Sequence, residues 1–358
     1  IQMELKDLGY NEKTEKSRIQ QNLTDYEAGR VIAEHRERYI VRTAQGETEA
    51  EITGNLRYSA KSREDFPAVG DWVALIMYDN NTALIHQIIP RTSAITRKAA
   101  GHTGEVQIIA ANVDTALLIQ AVDRDFNINR LERYLTLCYA ARVSPVIVLT
   151  KTDLITEERI SAITDAIRQR IPDVPVIAVS SITGNGYDAL NSIMEKGKTY
   201  CMLGSSGAGK STLLNFLSGR EVMHTGDISQ STGKGRHTTS HRELLVLDNG
   251  SILIDNPGMR EVGIADTALG LETTFDTLLS LAQHCRFKNC THTNEDGCAV
   301  LEAVENGTLD ESLLKNYLKL EREKAWFETT QAEKKRKEKI FGKILKDYQK
   351  KDIKGKKI

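Results

Sequence analysis

Eight consecutive residues constrain this chain more than any others: Gly204-Ser205-Ser206-Gly207-Ala208-Gly209-Lys210-Ser211. They fit the pattern G-x-x-x-x-G-K-[ST]. They follow the apolar run Tyr200–Gly204 and precede the helix-like run Leu213–Leu217. In a strand–loop–helix context the glycines let successive backbone N–H groups turn inward around phosphate oxygens. The helix N-terminus behind them already favours anions. The expected ligand is therefore a polyphosphate. Lys210 would neutralise β- and γ-phosphate charge, and the Ser211 hydroxyl would ligate Mg²⁺. Thr212 joins them in the same first helical turn.

Such a loop requires a parallel sheet wound with helices, and the surrounding pattern supplies one over roughly 105–275. Thr115–Val122, Val146–Thr150, Val176–Ser180 and Tyr200–Gly204 read as buried strands. Ile128–Ala141 and Ile160–Arg170 read as helices between them. Leu244–Leu247 and Ile252–Asp255 form a hairpin pair around Asn249-Gly250. Alternation of this kind predicts a doubly wound α/β fold.

Upstream, five short β-like runs are punctuated by Gly46, Gly54 and Gly70: Arg30–Ala33, Tyr39–Arg42, Glu49–Ile52, Trp72–Ile76 and Leu84–Ile89. A small five-stranded barrel of the OB type is the expected result. Tyr39, Arg42, Arg57, Tyr58, Lys61 and Arg63 could give it a basic, aromatic face for RNA. The organisation read from the chain is a polar extension over 1–24, helical or mobile, and a barrel over 25–95. An α/β domain covers 96–275, a helical region 276–330 and a basic tail 331–358. That tail holds 12 Lys/Arg against 4 Asp/Glu.

The base bound beside the phosphates is read from Thr150-Lys151-Thr152-Asp153, which follows a buried strand. Asp153 can accept from N1–H and the 2-amino group of guanine, and adenine would leave that carboxylate unpaired. The Lys151 stem can lie along the base face. Thr150 stands where such motifs usually carry Asn, which removes a side-chain amide that bridges toward the base and the phosphate loop. Ser180 and Ser181, in Val179-Ser180-Ser181-Ile182-Thr183-Gly184, suit a loop contacting guanine O6. Taken alone, that segment reads first as a simple Ser/Gly turn.

Asp255-Asn256-Pro257-Gly258 fits Asp-x-x-Gly, with Asp255 holding Mg²⁺ through water and the Gly258 N–H sensing γ-phosphate. Gly233-Lys234-Gly235-Arg236-His237-Thr238-Thr239 lies where a first switch belongs, and Thr239 is the expected second Mg²⁺ ligand. Met259, next to Gly258, cannot orient a water as Gln does. His237 is the candidate for that role. These motifs are those of a GTPase, but the guanine motif precedes the phosphate loop. The order is that of a circular permutation.

Five cysteines occur, at 138, 201, 285, 290 and 298. Cys138 and Cys201 sit in apolar runs and read as buried thiols. Cys285, Cys290, His292 and Cys298 supply three sulfurs and one imidazole within 14 residues, a set suited to tetrahedral Zn²⁺ with no open position. His284 is a spare imidazole. Net charge is −1, so no global field announces nucleic acid or membrane. No apolar run is long enough to span a membrane and no signal peptide is read, so a cytoplasmic location is expected. A monomer is the simplest expectation.

The ordered set of guanine motif, phosphate loop, Gly-x-Gly-Arg-His-Thr-Thr, Asp-x-Pro-Gly-x-Arg and Cys-x4-Cys-x-His-x5-Cys resembles the ribosome small-subunit-dependent GTPase A (RsgA/YjeQ) family. Ala111-Asn112-Val113-Asp114 and Arg133-Tyr134-Leu135 add to the resemblance. It implies an N-terminal OB domain, a permuted GTPase and a C-terminal zinc domain. It also implies a catalytic switch His, and GTP hydrolysis stimulated by the small ribosomal subunit during its late maturation. Two other functions compete. One is an ATPase or nucleotide kinase on the same loop, against which Asp153 argues. The other is a non-catalytic rRNA-binding assembly module with a vestigial nucleotide site.

Overall fold

The computed structural model describes residues 3–35, 38–79, 81–98, 106–123, 126–219, 243–255 and 268–326, together with residues 333 and 336. The N-terminal extension is helical and packed rather than mobile. A 3-10 turn, Leu5–Leu8, leads to helix α1, Glu12–Gln20, whose cap Asn11 accepts from the Lys13 and Thr14 N–H groups. Leu8 and Leu23 are buried against Trp72, Ala74 and Ile89. Apolar residues this sparse form no helical stripe, so their burial was not visible as periodicity.

Five strands follow where the pattern placed them: β1 Glu27–His35, β2 Arg38–Arg42, β3 Glu47–Ile52, β4 Trp72–Met77 and β5 Thr82–Ile88, with helix α2, Gly54–Ser59, after β3. Side chains of β3 alternate strictly between exposed and buried, as a half-buried strand requires. The strands pair in the order β1-β2-β3-β5-β4, and β4 closes onto β1. The β3–β5 pairing is parallel and the rest antiparallel. The closed barrel is of the OB type, filled by Val31, Tyr39, Val41, Val73, Leu75 and Ile85.

A two-stranded ribbon that the sequence pattern did not reveal, β6 Ala94–Lys98 with β7 Val106–Ala111, leads into the α/β domain. That domain contains β8 Thr115–Ala121, α3 Ile128–Ala140, β9 Ser144–Thr150, α4 Glu157–Arg170, β10 Val176–Ala178, α5 Tyr187–Ile193, β11 Thr199–Leu203, α6 Lys210–Leu217, β12 Glu243–Val246 and β13 Ile252–Asp255. The strand order is β10-β9-β8-β11-β13-β12, parallel except for β12. Leu117, Leu118 and Ile119 are all buried, so β8 is covered on both faces like the centre of a parallel sheet. Strand β11 enters late in the chain yet lies between β8 and β13, which is the signature of permutation. One further pairing, Ala33 with Glu243, joins β12 to β1, so barrel and α/β sheet are hydrogen-bonded together.

Helices α7 Ala268–Thr274, α8 Asp276–Ala282 and α9 Ala299–Glu305, with a last helix over 311–326, form a separate core around Phe275, Leu278, Val300 and Leu320. This unit docks on α3. The buried Glu132 carboxylate accepts from Arg170 Nε at 2.9 Å and from Asn316 Nδ2 at 2.5 Å. Arg133 pairs with Glu323 at 2.7 Å.

One buried cation joins extension, barrel and sheet. The Arg30 side chain, in β1, donates to the carbonyls of Leu8, Gly70 (3.2 Å) and Asn112 (3.3 Å) and to the Thr199 hydroxyl (2.9 Å). Burial pulls its pKa down to about 10, with Asp114 and Asp71 opposing the shift. Arg30→Met should cost about 2–3 kcal/mol, because the buried carbonyls it serves lose their donor, and an unsatisfied buried acceptor costs about 1–3 kcal/mol. Urea unfolding measures this; a loss under about 1 kcal/mol would show that the junction does not depend on it.

Candidate nucleotide site and metal centre

The glycine loop runs from the end of β11 to the start of α6. Gly207 and Gly209 take φ of 79° and 90°, where a Cβ is disfavoured. Gly204 packs so closely that a Cβ would strike the Ile119 carbonyl of β8. The loop is therefore seated on the C-terminal ends of β8 and β11, the crevice where α/β sheets bind ligands. Lys210 Nζ lies across its mouth, donating to the Gly204 carbonyl at 2.7 Å and the Ser205 carbonyl at 2.6 Å. Ser206 is exposed, Ala208 is buried, and Ser211 and Thr212 are half-buried in the first turn of α6.

Strand β9 pairs with β8 so that Thr150 lies opposite Ala121, at the same end of the sheet. The Thr150 hydroxyl donates to the Ala208 carbonyl at 2.6 Å. The amide that Asn would supply is absent, but the Thr150 hydroxyl still reaches the phosphate loop. Lys151 is left-handed at φ 58°, and its ammonium pairs with Asp123 at 2.9 Å. Asp153, in the 3-10 turn Thr152–Leu154, is exposed and accepts from the Ser180 hydroxyl at 2.6 Å. Ser180 Oγ in turn accepts from the N–H groups of Ile182 and Thr183, both at 3.2 Å. The Ser/Gly turn is thus tied to the guanine motif, with Ser181 exposed beside it.

Asp255 ends β13, which runs parallel to β11 with Ile254 opposite Cys201, so its carboxylate belongs to the same edge of the sheet. His237, Thr239 and Gly258 lie outside the described residues, as does Met259. Two groups were missed by sequence reasoning. Asp123 follows the buried strand β8, and that position at a strand's C-terminal end was the available signal. Arg130, in the first turn of α3, donates to the Ser205 hydroxyl at 3.2 Å, and no local motif marks it.

The expected RNA face is only partly assembled. Tyr39 is 2% exposed inside the barrel and cannot stack on a base. Its position on β2 faces the core, and the alternation of β2 decides that. Arg42 lies beside Glu47. Arg57, Tyr58, Lys61 and Arg63 remain exposed on α2 and the turn after it.

The four ligand atoms of Cys285, Cys290, His292 and Cys298 all lie within 4.8 Å of one another. Zinc–sulfur and zinc–nitrogen bonds of about 2.3 and 2.0 Å in a tetrahedron imply edges of about 3.8 Å between sulfurs and about 3.5 Å from sulfur to nitrogen. Cys285 to Cys298 measures 3.8 Å, and His292 Nδ1 lies 3.4 Å from Cys298 and 3.7 Å from Cys285. The donor set fits the metal. Cys298 also caps α9, its sulfur accepting from the Leu301 N–H. His284 turns away to the Ser280 carbonyl.

Residues 88–265 match the model of the RsgA GTPase family. The chain is 42% identical over 309 residues to the small ribosomal subunit biogenesis GTPase RsgA of Opitutus terrae, covering 83% of each. The chain belongs to the RsgA family of circularly permuted GTPases. A similarly named RsgA 2 of Vibrio parahaemolyticus is 39% identical, across 96% of this chain and 92% of its own length. Among solved structures, YjeQ from Thermotoga maritima superposes with a TM-score of 0.61 at 26% identity, covering 82% of this chain and 96% of that one. YloQ, described as a circularly permuted GTPase, gives 0.59 at 25%, covering 86% and 96%. An ABC transporter model matches residues 187–357, a span that includes the phosphate loop and omits the guanine motif. No described helix is long and apolar enough to cross a membrane.

Thr150→Val removes the donor to the Ala208 carbonyl while keeping the shape. It should weaken GDP and GTP alike by about tenfold, with Thr150→Ser close to the parent. Titration calorimetry reads this, and unchanged affinity in the Val variant would show that the hydroxyl link is dispensable.

Proposed function

We propose that the chain hydrolyses GTP to GDP and phosphate when it meets the small ribosomal subunit, and that it acts in late maturation of that subunit. The observation that carries the reading is the union of Thr150, Asp153 and Ser180 with the phosphate loop through the Thr150–Ala208 and Ser180–Asp153 bonds. A phosphate cradle alone serves many nucleotides. A carboxylate oriented by a serine hydroxyl at the base end supports guanine, because adenine offers it no donor. The names of the relatives support the ribosomal partner.

In this reading Gly204–Ser211 and Thr212 surround the phosphates, Lys151 covers the base, and Ser180 and Ser181 line its O6 side. Ser211 and Thr239 would hold Mg²⁺, with Asp255 acting through water. The metal would supply charge neutralisation at the β- and γ-phosphates. His237 orients the attacking water in place of the usual Gln, and Gly258 senses γ-phosphate. Cys285, Cys290, His292 and Cys298 would hold one structural Zn²⁺, which would staple the loop before α9 to the helical core. The exposed group Arg57, Tyr58, Lys61 and Arg63 offers rRNA two arginines, a lysine and a stacking ring. The functional units are a barrel at 25–95, a GTPase at 96–275, a zinc-binding helical region at 276–330 and a basic tail at 331–358. The working form is a cytoplasmic monomer.

Turnover measured with and without small subunits tests this. GTP hydrolysis should be slow alone and rise with subunits, and ATP should neither turn over nor compete. His237→Ala should bind GTP normally and lose the stimulated rate. Stimulation that survives in His237→Ala would remove the histidine, and no turnover of GTP under any condition would leave only an assembly module. For the metal, Cys290→Ser should lose bound zinc and lower the unfolding temperature, read by elemental analysis and calorimetry. Full zinc retention would refute the ligand set.

A further inference from the structure

We propose that Glu295 is the residue that positions His292 for the metal, by gripping the main chain on both sides of it. The proposal rests on the reading of Cys285, Cys290, His292 and Cys298 as one zinc ligand set, whose donor atoms lie within 4.8 Å of one another.

The three cysteines are placed by main-chain contacts. The Arg286 N–H donates to the Gly297 carbonyl at 3.0 Å, which brings the neighbours of Cys285 and Cys298 together. Cys298 then begins α9, its sulfur accepting from the Leu301 N–H at 3.4 Å. The Cys290 N–H donates to the Phe287 carbonyl at 3.2 Å, closing the turn that follows Cys285. His292 has a different situation. It lies in a segment, residues 291–294, that is neither helix nor strand, and its backbone is left-handed at φ 56°. That region is unfavourable for a residue with a Cβ, and any favoured region would swing the imidazole to another direction.

One carboxylate holds that conformation. Glu295 Oε1 accepts from the Thr291 N–H at 2.7 Å and from the Thr291 hydroxyl. Its Oε2 accepts from the Thr293 N–H at 3.0 Å and the Asn294 N–H at 3.2 Å. Amides around a left-handed residue form a concave nest that suits an anion, and here the anion comes from the chain itself. Bonds to a charged acceptor are stronger than neutral ones, so four donors on one carboxylate can offset the cost of the turn. The Thr291 and Thr293 hydroxyls also meet at 2.8 Å. Held this way, His292 is buried, with Nδ1 3.4 Å from the Cys298 sulfur and 3.7 Å from that of Cys285. Glu295 is not one of the ligands; it acts through the main chain on either side of the imidazole. Both of its oxygens are used, so Gln would turn an NH₂ donor toward one of the two sets of donors.

The test uses the full chain, with zinc affinity measured by competition against a chromogenic chelator and the visible spectrum recorded after loading with Co²⁺. Glu295→Ala should weaken zinc about 10–100-fold, the usual effect of losing a partner behind a ligand. Its Co²⁺ bands should lose the intensity of a tetrahedral thiolate–imidazole site. Glu295→Gln should fall between Ala and the parent, and it decides the matter if the Ala variant does not fold. Asp296→Asn removes an exposed charge next door and should stay within about twofold. In a His292→Ala background, Glu295→Ala should add no further loss, because its effect passes through the imidazole. Parent-like affinity and spectrum in both Glu295 variants overturn the proposal. So does an equal loss in Asp296→Asn, or an undiminished loss in the His292→Ala background. Failure of the parent chain to bind zinc would instead sink the underlying ligand set, so the two failures are distinguishable.

Discussion

The architecture depends on a charge that is removed from water. Arg30 is fully buried, and its guanidinium holds the turn before α1, the Gly70 turn, the ribbon end at Asn112 and the first residue of β11. Burying a cation costs several kcal/mol unless its donors are filled, and here carbonyls and a hydroxyl fill them. Arginine suits the place because it is weakly hydrated and offers several donors in one plane. The junction is reinforced around it. Asp114 accepts from the Thr199 N–H at 2.8 Å, while its own N–H donates to the Thr199 carbonyl at 2.8 Å. Asn112, left-handed at φ 53°, accepts from the Thr92 N–H and donates to the Gly70 carbonyl. Thr199 begins the strand that delivers the phosphate loop, so the barrel is anchored to the nucleotide site through one strand.

The same economy governs the site. The permuted order places guanine motif and phosphate loop far apart in sequence, yet β8 brings them to one sheet edge by pairing with both β9 and β11. The Thr150–Ala208 bond then links the base end to the phosphate end directly.

Helix α3 has two loyalties. Its first turn meets the phosphate loop through Arg130, and its next residues hold the C-terminal helices through Glu132 and Arg133. Gly270 lets α7 approach the Thr136 carbonyl with no side chain between them. Helix α3 therefore touches both the phosphate loop and the helical region that carries the Cys285, Cys290, His292 and Cys298 group.

Much of this was legible in the residues before any fold was known. The loop Gly204–Ser211, the segment Thr150–Asp153 and the group Cys285 to Cys298 are short patterns, so their spacing alone marked where the loop and the Cys/His group would form. The five barrel strands and the α/β alternation follow equally from periodicity. Tertiary structure decided the rest. Tyr39 went inside the barrel rather than onto an RNA face, Leu8 and Leu23 drew the extension into the core, and Thr150 kept its bridge. Arg30 and Thr199 are 169 residues apart, and Arg130 and Ser205 are 75 apart. Contacts of that range leave no periodic trace, because they exist only once strand order and packing have brought distant segments within hydrogen-bonding distance.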